Sequence, residues 1–134
     1  MTHLDTSFLV DLLRERTRGA EGPAHRLLQT LADEELAISI HVSCELHAGA
    51  ELSDAPAEEH LRVDALCAAL RVVPADGRFP LEYGRLFGEM RRRGESIAAM
   101  NLLIAAAARV EDARLVTRNV RDFERVPGLT VLSY

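Results

Sequence analysis

Four polar residues stand where chemistry could be done: Asp5, Glu45, Asn101 and Thr117. Two carboxylates held close together repel, and the usual relief is a hard divalent cation bound by oxygen. Mg²⁺ keeps several waters and binds through one or two carboxylates plus substrate phosphate. It can acidify a water and neutralise charge on a phosphodiester. Asp5 and Glu45 alone carry this weakly, because Asp at a strand end often caps a helix and Glu on a helix is usually solvated. Asn101 is the odd residue, the only polar one between Ile97 and Ala108. An unpaired buried amide costs about 1–3 kcal/mol, so Asn101 needs partners or a task.

Met100, Leu103, Ile104 and Ala107 recur at i, i+3, i+4, i+7, which predicts a helix, and apolar flanks predict burial nearly all round. Elsewhere the pattern alternates. Strands are expected at 2–5, 36–40, 72–73, 114–117 and 130–133. Phe8, Leu9, Leu12 and Leu13 mark a helix capped by Thr6 or Ser7. Ala24, Leu27, Leu28 and Leu31 mark another after Gly22-Pro23. A helix carrying Glu45 and Leu46 fades near 49–54. Further helices follow at Val63, Leu66, Cys67 and Leu70, and at Tyr83, Leu86, Phe87 and Met90, the latter closed by Arg91-Arg92-Arg93-Gly94. This is an α/β chain with a short, mostly parallel central sheet flanked by helices. In such sheets sites form beyond the carboxyl ends of the strands. Asp5 and Thr117 stand at such ends, Glu45 lies early in the helix after 36–40, and Asn101 can point there from the side.

With 134 residues and 48% hydrophobic content the chain suits one domain, 1–134, with a core of Leu, Ala, Val and Ile. The net charge of −5 argues against a general nucleic-acid coat, though not against an enzyme acting on nucleic acid through metal ions. Every basic residue is Arg, a pattern base composition can explain. Cys44 and Cys67 read as buried free thiols, and His3, His25, His41, His47 and His60 as surface or helix-face residues without metal spacing. No G-x-S-x-G elbow and no phosphate loop occurs. The 97–108 run is too short to span a membrane, so the expected location is cytoplasmic.

Residues 1–12 (Met-Thr-His-Leu-Asp-Thr-Ser-Phe-Leu-Val-Asp-Leu) resemble the opening of a PIN domain, and Ser39–Gly49 resemble its second motif, with Glu45 as the acid. Met100–Ala106 and Leu115–Phe123 resemble the third and fourth. The resemblance covers nearly the whole chain and is nearest to VapC-type toxins of bacterial toxin–antitoxin pairs. It implies a single PIN-like domain and a Mg²⁺- or Mn²⁺-dependent endoribonuclease. It also implies a homodimer held inactive by a VapB-type antitoxin and cutting structured RNA such as tRNA or ribosomal RNA. By the resemblance, Asp5 and Glu45 match the first two acids and Asn119 the fourth position, while Ser7 and Thr117 match hydroxyls that line the site. Asp122 could substitute or assist, or simply cap a helix before Phe123. Arg118 and Arg121 are candidates for RNA contact. Arg91-Arg92-Arg93 is a solvated helix end or a phosphate contact. Leu12, Leu13 and the apolar side of 24–31 form core or an antitoxin groove.

The departure is at Asn101, where the family has an Asp that serves as a metal ligand. Asn keeps the shape and removes the charge. Three accounts stay open: an introduced Asp→Asn change that permits production of a lethal toxin, a natural weakened PIN domain, or an active variant using Asp122. The rival function is a catalytically inactive PIN domain that binds RNA or antitoxin.

Overall fold

A strand no longer than four residues cannot hold itself, so each of the five here depends on its neighbours and on covering helices. The computed structural model describes residues 1–134. Its elements are β1 (Thr2–Leu4), α1 (Thr6–Arg18), α2 (Pro23–Thr30), β2 (Leu36–Ser39), α3 (Ile40–Glu51), α4 (Pro56–Ala68), β3 (Arg71–Val73), α5 (Phe79–Arg92), α6 (Ala99–Val110), β4 (Arg114–Val116), α7 (Val120–Phe123) and β5 (Val131–Leu132). The sheet runs β3-β2-β1-β4-β5, and every pairing is parallel. The expected α/β architecture is therefore present, with a wholly parallel sheet. No helix is long and apolar enough to cross a membrane.

β1 lies at the centre and is buried along its whole length. Phe8, Leu9 and Leu12 of α1, Ile104 of α6, Leu115 of β4 and Phe123 of α7 pack around it as one core. Ala105, Ala106 and Ala108 are fully buried; small side chains let the α6 backbone lie close to its neighbours. The burial of α6 is less complete than its composition implies: Met100, Asn101 and Leu103 are half-buried. Asn101 thus escapes the cost of a sealed amide.

Two further expectations need correction. Cys44 is exposed, because α3 buries Val42, Leu46 and Ala50, four residues apart, and at about 100° per residue Cys44 falls on the far side. His3 is buried in the central strand, where its Nε2 meets Glu111 Oε1 at 2.6 Å. Burial lowers the pKa of His3 and outweighs the upward pull of Glu111. The chain also starts α4 seven residues before Val63, at Pro56, whose fixed φ suits a first helical position.

The junction of α1 and α2 is set by Glu15, which is nearly buried and accepts from the backbone N–H groups of Gly22 (2.7 Å), Ala24 (3.0 Å) and His25 (2.9 Å). It caps the α2 N-terminus from another helix. A Cβ at residue 22 would stand 2.6 Å from the Glu15 carboxyl carbon, so any larger residue there would push the capping carboxylate aside. Burial alone would raise the Glu15 pKa, but the three backbone donors outweigh it and hold it below 4.5. A carboxylate with a depressed folded pKa contributes stability that is complete above its unfolded pKa and is lost as pH falls through the folded one. Glu15→Ala is expected to lower the Tm by several degrees at pH 7. The gap to the unaltered protein should shrink as pH drops below about 4.5, as followed by circular dichroism melts across pH.

Candidate active site

Strand order reverses at β1. The chain builds outward through β2 to β3, then returns to the other side of β1 as β4 and β5. A crevice opens beyond the carboxyl ends of the strands at such a switch point. Leu4 pairs with Val116, and the Asp5 N–H donates to the Val116 carbonyl at 2.9 Å. The next residues on each strand, Asp5 and Thr117, are therefore side by side.

Asp5 is 2% exposed. Its Oδ2 accepts from Thr117 Oγ1 at 2.6 Å and from Ser7 Oγ at 2.9 Å. Each hydroxyl is itself fixed by a backbone donor: Asn119 N–H to Thr117 Oγ1 at 2.9 Å, Arg118 N–H to Ser7 Oγ at 3.0 Å. One carboxylate oxygen is thus clamped. The other, Oδ1, has no hydrogen-bond partner in the protein, which leaves it free for a ligand. Thr6 and Ser7 do not cap α1. Asp5 holds the cap position without a side-chain bond, and the two hydroxyls serve the site instead.

Glu45 is half-buried on α3, and Thr6 Oγ1 donates to its Oε1 at 2.6 Å. Thr6 adjoins Asp5, so one residue ties the two acids together. Ser39 caps α3 by accepting from the Val42 N–H at 3.3 Å, which fixes where Glu45 falls. Asn101 sits in the first turns of α6, which packs against α3, β2 and β4. Asn119 is exposed at the N-cap of α7. Asp122 lies inside that helix, within 3.5 Å of Arg125, and does not cap it. Arg121 is exposed. Arg118 is held by Asp11 (Nη1 to Oδ1, 2.6 Å), and Tyr134 donates to the other oxygen of Asp11 at 2.5 Å. Burial, then the hydrogen bond to Asp11 and its charge, pushes the Tyr134 phenol well above its ordinary pKa, so it stays a donor. Thr6, Asp11 and Tyr134 were not among the expected site residues. The last joins Asp11 across 123 positions, a link no local pattern carries.

Asp5 and Glu45 give an oxygen-only donor pair, each with one oxygen unpaired, which suits a hard cation that keeps most of its waters. No three His, Cys, Asp or Glu side chains cluster to cage an ion unaided.

A five-stranded parallel sheet with paired acids at its switch point defines a class, and the chain belongs to it: a PIN domain, matched over residues 3–129. Within that family its relatives are VapC proteins. Ribonuclease VapC2 of Rickettsia felis is 33% identical over 103 residues, covering 76% of this chain and 77% of that protein. The tRNA(fMet)-specific endonuclease VapC of Salmonella typhimurium is 31% identical over 101 residues, covering 75% and 76%. The crystal structure of VapBC2 from Rickettsia felis, bound to a DNA fragment from their promoter, matches with a TM-score of 0.89 at 28% identity, over 99% of this chain and 98% of that one.

Thr117→Val keeps the volume and removes the donor to Asp5. The variant is expected to lose about 1–3 kcal/mol of stability, measured by urea denaturation.

Proposed function

We propose that this chain is a VapC-type ribonuclease, the toxin of a toxin–antitoxin pair, that hydrolyses phosphodiester bonds of structured RNA such as tRNA or ribosomal RNA in the cytoplasm. The observation that carries this is the Asp5 carboxylate at the β1–β4 switch point, clamped through one oxygen and unpaired at the other, with Glu45 tied alongside by Thr6. The names of the VapC relatives support the same activity.

Asp5 and Glu45 would hold Mg²⁺ or Mn²⁺, with residue 101 as the third ligand position. When bound, the cation supplies charge neutralisation at the phosphodiester and a more acidic water. The chain's own residues do the positioning. Ser7 and Thr117 fix the Asp5 carboxylate plane, Thr6 orients Glu45, and the exposed Asn119 is available to substrate. Asp122, engaged by Arg125, is an assisting residue. Arg118 and Arg121 meet RNA phosphates, and of the two only Arg118 has an ion-pair partner in the protein.

Asn101 offers a neutral oxygen where a charge would hold the cation, so this chain is weakened. That favours a second reading, an inactive PIN domain that binds RNA or antitoxin. The antitoxin is a VapB-type partner. An open groove of about 650 Å³ lined by Leu9, Leu12, Leu13, Leu28, Leu36 and Leu66 gives its apolar segment a seat. Leu81 and Phe87 on α5, both exposed, supply apolar surface for a homodimer.

The test compares the chain with Asn101→Asp on tRNA and ribosomal RNA with Mg²⁺ or Mn²⁺, and with EDTA. Asn101→Asp is expected to cleave at least about 10-fold faster, and EDTA should stop both. Binding without cleavage by either form leaves the inactive reading standing and the nuclease reading fails. Separately, Arg121→Ala should weaken RNA binding uniformly across sequences and flatten the slope of log affinity against log salt by about one.

A further inference from the structure

Thr6, Val10, Arg14 and Arg18 follow one another at intervals of four along α1, so neighbours in this row share a side of the helix. Thr6 begins the row at the crevice, where it donates to Glu45. The other three line an open groove of about 590 Å³ between α1, α3 and α4, and Glu45 stands in its wall. Groove and crevice are therefore continuous, because one carboxylate belongs to both. At 1.5 Å per residue Arg14 lies about 12 Å, and Arg18 about 18 Å, along α1 from Thr6. The two are thus about 6 Å apart along the axis, close to the step between successive phosphates of an RNA strand.

Arg62 on α4 also lines the groove, but Glu59 one turn away neutralises it. Arg14 and Arg18 are exposed, and neither forms an ion pair or donates to an acceptor in the protein. Arg18 complements the carboxyl end of α1, whereas Arg14, a turn earlier, has no such role. A polyanion approaching a chain of net charge −5, and two carboxylates in particular, is repelled unless cations meet it. Arg14 and Arg18 place two cations on one path to Glu45, and the planar guanidinium fork matches a phosphate.

We infer that Arg14 and Arg18 form a phosphate-binding track for the RNA strand flanking the scissile bond, leading along α1 into the Asp5–Glu45 crevice. This rests on RNA as the ligand of that crevice. A protein segment fits the groove less well: the neighbouring groove is lined mainly by leucine and suits an apolar segment, whereas this one is lined mainly by polar residues.

Binding of labelled tRNA to the full chain is followed by fluorescence anisotropy in EDTA across a series of salt concentrations. Arg14→Gln with Arg18→Gln is expected to weaken binding about 10-fold at low salt. It should also flatten the slope of log affinity against log salt by about 1.4–1.8, at roughly 0.7–0.9 per phosphate contact. Arg14→Lys with Arg18→Lys keeps both charges and should retain the slope. Arg16→Gln with Arg85→Gln removes the same charge outside the groove and should leave the slope near that of the unaltered chain. Circular dichroism checks that each variant folds. An equal loss in both glutamine pairs reports bulk charge alone and overturns the inference, as does a chain that binds no tRNA. Loss of poly-glutamate binding with tRNA binding intact gives the groove to an acidic protein segment and overturns it too. Cleavage by Asn101→Asp, with the slope unmoved by Arg14→Gln and Arg18→Gln, sinks the track and spares the ribonuclease reading. A flattened slope without cleavage by any form does the reverse.

Discussion

The parallel register that sets Leu4 against Val116 governs the functional end of this protein. It places Asp5 beside Thr117 and draws Ser7 into the same cluster, so a charge that is costly to bury is satisfied on one side by two hydroxyls. Those hydroxyls accept from the backbone of residues 118 and 119, which fixes the loop leading into α7. A slip of β4 along β1 would uncouple every one of these bonds. The acid is preorganised by strand pairing, and the loops follow it.

The two ends of the sheet use polar groups in opposite ways. At the amino end Thr2 donates to Glu34 at 2.5 Å, Arg114 pairs with the same carboxylate, and Glu111 is shared by His3 and Arg71. Hydrogen bonding to Thr2 and Arg114 keeps the Glu34 pKa low, and Arg71 and His3 do the same for Glu111 against the opposing effect of burial. Both oxygens of each of these carboxylates are engaged. At the carboxyl end Asp5 keeps one oxygen back. A fully paired carboxylate stabilises a fold, and one held half-free can bind.

Much of this was legible in the sequence because it depends on local periodicity. Alternating apolar runs gave the strand and helix order, and the strand-end rule put Asp5 and Thr117 at one edge. What eluded the sequence depends on distant partners. Thr6 and Ser7 look like helix caps, since the same hydroxyl that can cap a helix can also orient a carboxylate; only Glu45, 39 residues away, and Thr117, 110 away, decide between the two. His3 reads as a surface residue until Glu111 arrives from 108 positions downstream to accept a hydrogen bond from its Nε2. Pro56 was a visible helix start that weaker apolar periodicity before Val63 obscured. Asn101 was identifiable as unusual from its neighbours, but its half-open setting came from the packing of α6.

The bond between Thr117 and Asp5 spans 112 residues. Synthesis runs from the amino terminus, so Asp5 leaves the ribosome early and waits, unpaired, until β4 follows. Long-range parallel pairing is slow to form, because loop closure must precede any reward from contact. The crevice therefore comes into being only after β4 has been made. A chain still short of β4, even one bearing Asp at position 101, has no assembled acidic crevice.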